Sequence, residues 1–317
     1  MKIGSKAFAS VVLSFFAQNS FAQGVDAQTK HWPWDKPSGC VDYKSRILKR
    51  KVRYCVQRSR ADLPYRKGEP VIYFMHGMKG SAHSWWNDGY AESLNRLVQE
   101  DPNFPAATVV TFDTAVASFF SDARDREDGR HAYETWFTNE LMPMIEAQYP
   151  VCRERVCRTL VGESMGGYGA LKTALKYNGM FGAVAVNSPA LTPFGVYESK
   201  DSWREYFRRH PIGATAGMFL LSIVRYIFPN QDLYERNDPT VLVARMDSNL
   251  FPAMYVDMGD KDDFGFYEGF QRFDGLLRDR RVPYVSQVFP GRGHSIFHET
   301  SAYSLGFVAD YLTRANY

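Results

Sequence analysis

Five consecutive residues, Gly162-Glu163-Ser164-Met165-Gly166, match the spacing G-x-S-x-G. They lie between a strand-forming run, Val156 to Val161, and a stretch of helical character, Met165 to Tyr177. In that setting the spacing has a mechanical meaning: a sharp strand-to-helix turn lifts a serine hydroxyl above a sheet. Gly162 and Gly166 leave room for the tight turn, and Gly167 and Gly169 allow close packing behind it. The helix that follows brings the positive end of its dipole under the hydroxyl. A serine hydroxyl is a weak nucleophile until a base takes its proton. The spacing therefore predicts acyl transfer through Ser164 and requires a histidine and an acid from elsewhere in the chain.

At such a turn the partners follow in the order serine, acid, histidine. Of seven histidines, only His294 and His298 stand far enough downstream. His294 lies in Pro290-Gly291-Arg292-Gly293-His294-Ser295, directly after the expected strand Tyr284–Phe289, and is the expected base. His298, at an expected helix start, reads as structural. The acid should end the preceding strand, Ala253–Met258, where Asp260, Asp262 and Asp263 offer three carboxylates. It must be buried enough to orient the imidazole and stabilise its cation, and spacing alone does not choose among the three. Two backbone N–H groups must meet the developing oxyanion. One belongs to Met165; the other should come from the loop His76-Gly77-Met78-Lys79-Gly80-Ser81, after the strand Val71–Met75. His76 reads as a support for that loop and not as a reacting group.

The elements that must position these groups alternate along the chain. Strands are expected at Arg46–Gln57, Val71–Met75, Thr108–Phe112, Val156–Val161, Gly182–Val186, Ala253–Met258 and Tyr284–Phe289. Helices are expected at Trp85–Glu100, Tyr133–Gln148, Met165–Tyr177, Phe266–Arg280 and Ser301–Thr313, while residues 23–45 read as irregular. This alternation predicts a mostly parallel sheet covered on both faces, in one domain. Residues 190–250 interrupt the pattern, and within them Ala216–Ile227 is strongly apolar. We read the interruption as a cap inserted over the site; a buried helix of the main body is the competing account.

The chain has 317 residues and a formal charge of +3. Lys2 and Lys6, the apolar stretch Ala7–Ala17 and the small residues at Ser20 and Ala22 together predict a signal peptide over residues 1–22. The apolar part is about half the roughly 20 residues a membrane span needs. Its loss would leave a net charge near +1, too balanced for a nucleic-acid footprint. Membrane association is possible but not required by the composition. The four cysteines fit an oxidising compartment, periplasmic or extracellular, with Cys40–Cys55 and Cys152–Cys157 the preferred of three pairings. No metal or other cofactor is expected, since no C-x-x-C or Cys/His cluster has ligand spacing.

His76-Gly77, the Gly162–Gly166 turn, Asn187-Ser188-Pro189, Arg236-Asn237-Asp238-Pro239, the Gly259–Asp262 turn and Gly293-His294 resemble, in order, the putative esterase family. That family includes esterase D (S-formylglutathione hydrolase), feruloyl and acetyl-xylan esterases, and mycolyltransferases. The resemblance covers roughly residues 45–315 and implies the α/β-hydrolase fold. It maps the acid to Asp262, at the last place of a Gly-x-x-Asp turn, and the second oxyanion donor to Met78. It implies a serine esterase acting on a small-molecule, lipid or carbohydrate ester, with an acyltransferase of the same triad as its rival. The signal peptide and the long apolar insertion depart from cytosolic S-formylglutathione hydrolases. A third possibility, a non-catalytic carbohydrate-binding or surface protein, draws only on Trp32 and Trp34 near the N-terminus.

Overall fold

The structure, a computed structural model, describes residues 38–122, 131–247 and 250–315. The expected signal peptide, and Trp32 and Trp34, lie outside the described residues. Eight strands build one sheet: β1 (Ser38–Lys44), β2 (Lys51–Arg58), β3 (Val71–Met75), β4 (Thr108–Phe112), β5 (Arg158–Glu163), β6 (Ala183–Asn187), β7 (Ala253–Gly259) and β8 (Val285–Phe289). Their order is β1-β2-β4-β3-β5-β6-β7-β8. β1 pairs antiparallel with β2, and β2 with β4; every pairing from β4 to β8 is parallel.

The central strands read as unbroken apolar runs because both of their faces are buried. In β3, Val71, Tyr73 and Met75 join one hydrophobic cluster while Ile72 and Phe74 join the other, as the two-residue pleat requires. Helices α1 (Tyr90–Glu100) and α7 (Phe297–Arg314) cover the second face through Leu94, Leu305, Val308 and Leu312. The first face is covered by the helical stretch from Tyr133 to Gln148, with a π turn at Phe137–Leu141, and by α2 (Met165–Lys176) and α6 (Phe266–Asp279). This is the mostly parallel, two-face-covered sheet that the alternation of elements implied, in the α/β-hydrolase arrangement that the resemblance implied.

Three details depart from expectation. Ser38–Lys44 is not irregular: it is an edge strand, tied to β2 in the register that sets Cys40 opposite Cys55. The strand expected from Arg46 begins only at Lys51. Glu140 accepts hydrogen bonds from Ser45 Oγ and from the amides of Arg46 and Ile47, which draws that segment out of the ladder. The helix expected from Trp85 breaks at Gly89, where φ is +87° and His298 packs too close for any side chain. Both disulfides, Cys40–Cys55 and Cys152–Cys157, are formed as the preferred pairing has them.

Between β6 and β7 the chain forms α3 (Lys200–Arg208), α4 (Gly213–Ile227), a short helix at Gln231–Glu235 and α5 (Pro239–Arg245). The α3–α4 hairpin is tight because Gly217 lies directly on the Phe207 ring. α4 turns Gly217, Leu221 and Ile227 inward and leaves Phe219 and Tyr226 exposed. Among the described residues, no helix is long and apolar enough to cross a membrane.

Candidate active site

The chain leaves β3 for β4 on one side and reaches β5 on the other, so the C-terminal ends of β3 and β5 flank the switch point where α/β sheets open a crevice. The loops after β3, β5, β7 and β8 all emerge at this edge.

Ser164 sits between β5 and α2 with φ +51° and ψ −118°, a backbone conformation that costs about 1–3 kcal/mol and persists only where the surroundings impose it. They do so here. The Ser164 amide donates to Asn187 O at 3.0 Å, and the Ser164 carbonyl accepts from the amides of Tyr168 and Ala190, each at 3.0 Å. Gly166 must lack a side chain, because a Cβ there would stand 1.9 Å from Met75 O. The first-turn amides of α2, Met165 foremost, have no intrahelical acceptor and turn their positive end toward the hydroxyl.

His294 Nε2 lies 2.8 Å from Ser164 Oγ, and His294 Nδ1 lies 2.5 Å from Asp262 Oδ2. In the tautomer with hydrogen on Nδ1, the ring donates to Asp262 and accepts a hydrogen bond from the serine hydroxyl. The Asp262 side chain is fully buried and that of His294 nearly so. Asp262 Oδ1 accepts from the amides of Phe264 and Phe266 at 2.9 and 3.0 Å, which fixes the carboxylate from its other side. Phe264, Phe266 and Phe297 surround the imidazole edge-on, with ring centres 4.7, 5.5 and 5.9 Å away.

The two neighbouring carboxylates do different work. Asp260 Oδ1 accepts from the Gly291 amide at 2.6 Å, and the exposed Asp263 accepts from the His294 amide at 3.3 Å. Both hold the histidine loop, and neither reaches the ring. Gly259 permits this docking, since a Cβ there would lie 2.3 Å from Arg292 O.

Met78 is half-buried in the loop after β3. The amides on either side of it are committed, Gly77 to Glu163 Oε1 at 3.1 Å and Lys79 to Val116 O at 2.9 Å. His76 is buried beneath: its Nδ1 lies 2.7 Å from Gly77 O and its Nε2 3.1 Å from Thr114 Oγ1. Burial pushes its pKa down, so the ring stays neutral while bracing the loop. His298 contacts Asn87 O at 3.0 Å and has a packing role beside Gly89.

Sequence reasoning gave no role to the polar layer under the serine. Asn187 donates to Asp257 Oδ2 at 2.6 Å and accepts from the Tyr90 hydroxyl at 2.8 Å, while the Ser188 amide donates to Asp257 Oδ1 at 3.1 Å. Burial pushes the Asp257 carboxyl up to about 7 against the pull of these donors. Asn187-Ser188-Pro189 was visible as a shared motif, but its use depends on residues 70 positions away in the chain. Cys40, Cys55 and His83 come close enough to suggest a metal cluster, yet both sulfurs are spent in a disulfide and offer no thiolate.

A family model described as putative esterase matches residues 45–309. The chain belongs to the putative esterase family. Among its relatives, S-formylglutathione hydrolase of Rattus norvegicus is 24% identical over 204 residues, covering 64% of this chain and 61% of the rat protein. The acetyl esterase of Caldicellulosiruptor saccharolyticus is 28% identical over 228 residues, 71% of this chain and 76% of that enzyme. The chain thus spans about three fifths of the length of the rodent relatives it matches, 61% and 62%. Among solved structures of the family fold, a ferulic acid esterase superposes with a TM-score of 0.65 at 24% identity, covering 86% of this chain and 98% of that one. An S-formylglutathione hydrolase from Agrobacterium tumefaciens gives the same TM-score at 18% identity, with 87% and 95% covered.

Proposed function

We propose that this member of the putative esterase family is a serine carboxylesterase. The observation that carries the reading is the unbroken relay from Ser164 Oγ to His294 Nε2 at 2.8 Å and from His294 Nδ1 to Asp262 Oδ2 at 2.5 Å. Ser164 attacks the ester carbonyl as His294 takes its proton, and Asp262 stabilises the imidazolium that forms. The amides of Met78 and Met165 receive the tetrahedral oxyanion. His294 returns the proton to the leaving alcohol, and water, activated by the same ring, then releases the acid from Ser164.

The substrate class follows the relatives: a small carboxylic or thiol ester, with acetyl, feruloyl and formylglutathione esters the first to try. Export belongs to the same reading. The basic and apolar start of the chain motivates it, and two disulfides are compatible with an oxidising compartment. Labelling by a fluorophosphonate probe tests the whole, because only an activated serine reacts. Labelling at Ser164 in the wild type, absent in Ser164→Ala, is expected; an unlabelled wild type that is folded would sink the reading.

A second reading, acyl transfer to an alcohol, is favoured by one observation: α4 exposes Phe219 and Tyr226 on a largely apolar helix, a surface suited to a lipid chain. Products from a lipid ester with and without a sugar alcohol separate the two, since free acid alone in both cases rejects transfer.

A further inference from the structure

We propose that Glu163, the residue before the nucleophile, is a positioning residue whose carboxyl, held between the Gly77 amide and Asp88, aims the Met78 amide at the oxyanion. The inference rests on the triad reading and extends it to a group outside the triad.

Glu163 ends β5, pairs in register with Asn187 of β6, and is 2% exposed. Its Oε1 accepts the Gly77 N–H at 3.1 Å, across 86 residues of chain. Gly77 packs beside the turn: a Cβ there would make ordinary contact, 3.4 Å from Glu163 Oε1 and 3.6 Å from Ser164 Cβ. Beyond the β3–β5 ladder, which ends at Met75 and Gly162, this hydrogen bond ties together the two segments expected to supply the oxyanion amides. Met78 follows Gly77 and Met165 follows Ser164, so any slackness at Glu163 moves one donor relative to the other.

The second oxygen, Oε2, is buried and receives no N–H or O–H donor from the described residues. Asp88, in the turn before α1, lies close enough for its charge to act on the Glu163 carboxyl. Two carboxyls can share a hydrogen bond only if one of them carries the proton. Burial first, and the Asp88 charge second, raise the Glu163 pKa well above the usual carboxylate range, which assigns the proton to Glu163. The nearby Tyr90 hydroxyl is engaged with Asn187. Glu163 thus acts as a neutral bracket: acceptor toward the amide of the oxyanion loop, donor toward Asp88.

A glutamine reproduces both halves of that bracket, its carbonyl accepting from Gly77 and its NH2 donating to Asp88. An alanine supplies neither. The test compares Glu163→Ala and Glu163→Gln with wild type in three readouts: kcat and KM on a simple aryl ester, and affinity for a trifluoromethyl ketone, which forms a tetrahedral adduct at the serine. Outright loss of one oxyanion donor costs about 10²–10³ in turnover. Misaiming one should cost Glu163→Ala about 10- to 100-fold in kcat at nearly constant KM, with a parallel fall in ketone affinity. Glu163→Gln should recover kcat to within about threefold of wild type.

The inference is overturned if Glu163→Ala keeps kcat within twofold, if Gln and Ala fall equally, or if KM rises while ketone affinity holds. Should Glu163→Ala not fold, Asp88→Ala carries the same test, since it removes the far half of the bracket. A several-fold fall in kcat and ketone affinity supports the inference, and unchanged values overturn it. Fluorophosphonate labelling separates the two levels. A folded wild type that does not label at Ser164 defeats the triad reading and this inference with it. Normal labelling beside an undiminished Glu163→Ala defeats this inference alone.

Discussion

Phe264 meets the imidazole of His294 edge-on, with ring centres 4.7 Å apart, two residues after the Asp262 that takes the same ring's Nδ1 hydrogen. One short turn after β7 thus contacts the imidazole both at Nδ1 and along its flank. Asp262→Asn preserves the shape of that turn, because the amide oxygen can still accept from Phe264 and Phe266. It also presents an amide hydrogen to Nδ1 and favours the opposite tautomer. Steady-state kinetics on an aryl ester should show kcat lower by about 10⁴ with an unaltered melting temperature. A loss of less than tenfold would point to another carboxylate as the orienting acid.

The conformation of Ser164 is stored strain, and it predicts a split between stability and activity. At φ +51° and ψ −118°, only glycine is relaxed. Ser164→Gly should be inactive yet more stable than Ser164→Ala by about 1 kcal/mol, the relief of strain exceeding glycine's entropic cost. Denaturant melts of the two variants provide the comparison. Equal midpoints would mean that the turn is not strained.

Gly259 carries the junction between the acid turn and the histidine loop. Gly259→Ala forces a Cβ into the carbonyls of Arg292 and Gly293, which lie 2.3 and 2.4 Å from its position. Destabilisation of about 1–3 kcal/mol is expected. The fall in kcat should be far larger than that of Gly275→Ala, a glycine with nothing within 4 Å of its would-be Cβ. Matching activities for the two variants would contradict the expected docking.

Two buried carboxyls should shape the pH dependence of stability in opposite senses. Burial alone would raise the Glu134 pKa, but Lys172 and Lys176 outweigh it and hold the group at about 2, below its usual 4.5. Its contribution is complete above 4.5 and lost as pH falls toward 2, so Glu134→Gln should flatten the acid limb of a stability profile. Asp257, pushed up to about 7 by burial, binds its proton more tightly folded than unfolded. Stability should therefore fall as pH rises from about 4 through 7, and Asp257→Asn should remove that decline. Urea midpoints measured from pH 2 to pH 8 contain both tests.

Much of the site was legible because its chemistry is bound to local spacing. The Gly162–Gly166 turn and the placement of His294 after a strand could be read directly, while the cysteine pairing was a preference among three that the structure bears out. Asp262 could not be separated from Asp260 and Asp263 by spacing. All three accept hydrogen bonds in one turn, and only the register of that turn against the histidine loop sends one to the ring. β1 escaped notice because an edge strand need not show a buried pattern; its partner and its disulfide define it. Glu163 stands at an unspecified place of G-x-S-x-G, and its partner Gly77 lies 86 residues earlier.

The α3–α4 hairpin is bolted to the acid turn. The Ile212 amide donates to Asp263 O, and the Tyr206 hydroxyl donates to Gly265 O. Any remodelling of that hairpin is felt by the turn that holds Asp262. An engineer who transplants the hairpin of a relative to alter its fit should carry residues 262–266 along. The hairpin and the turn that holds Asp262 are thus one mechanical unit.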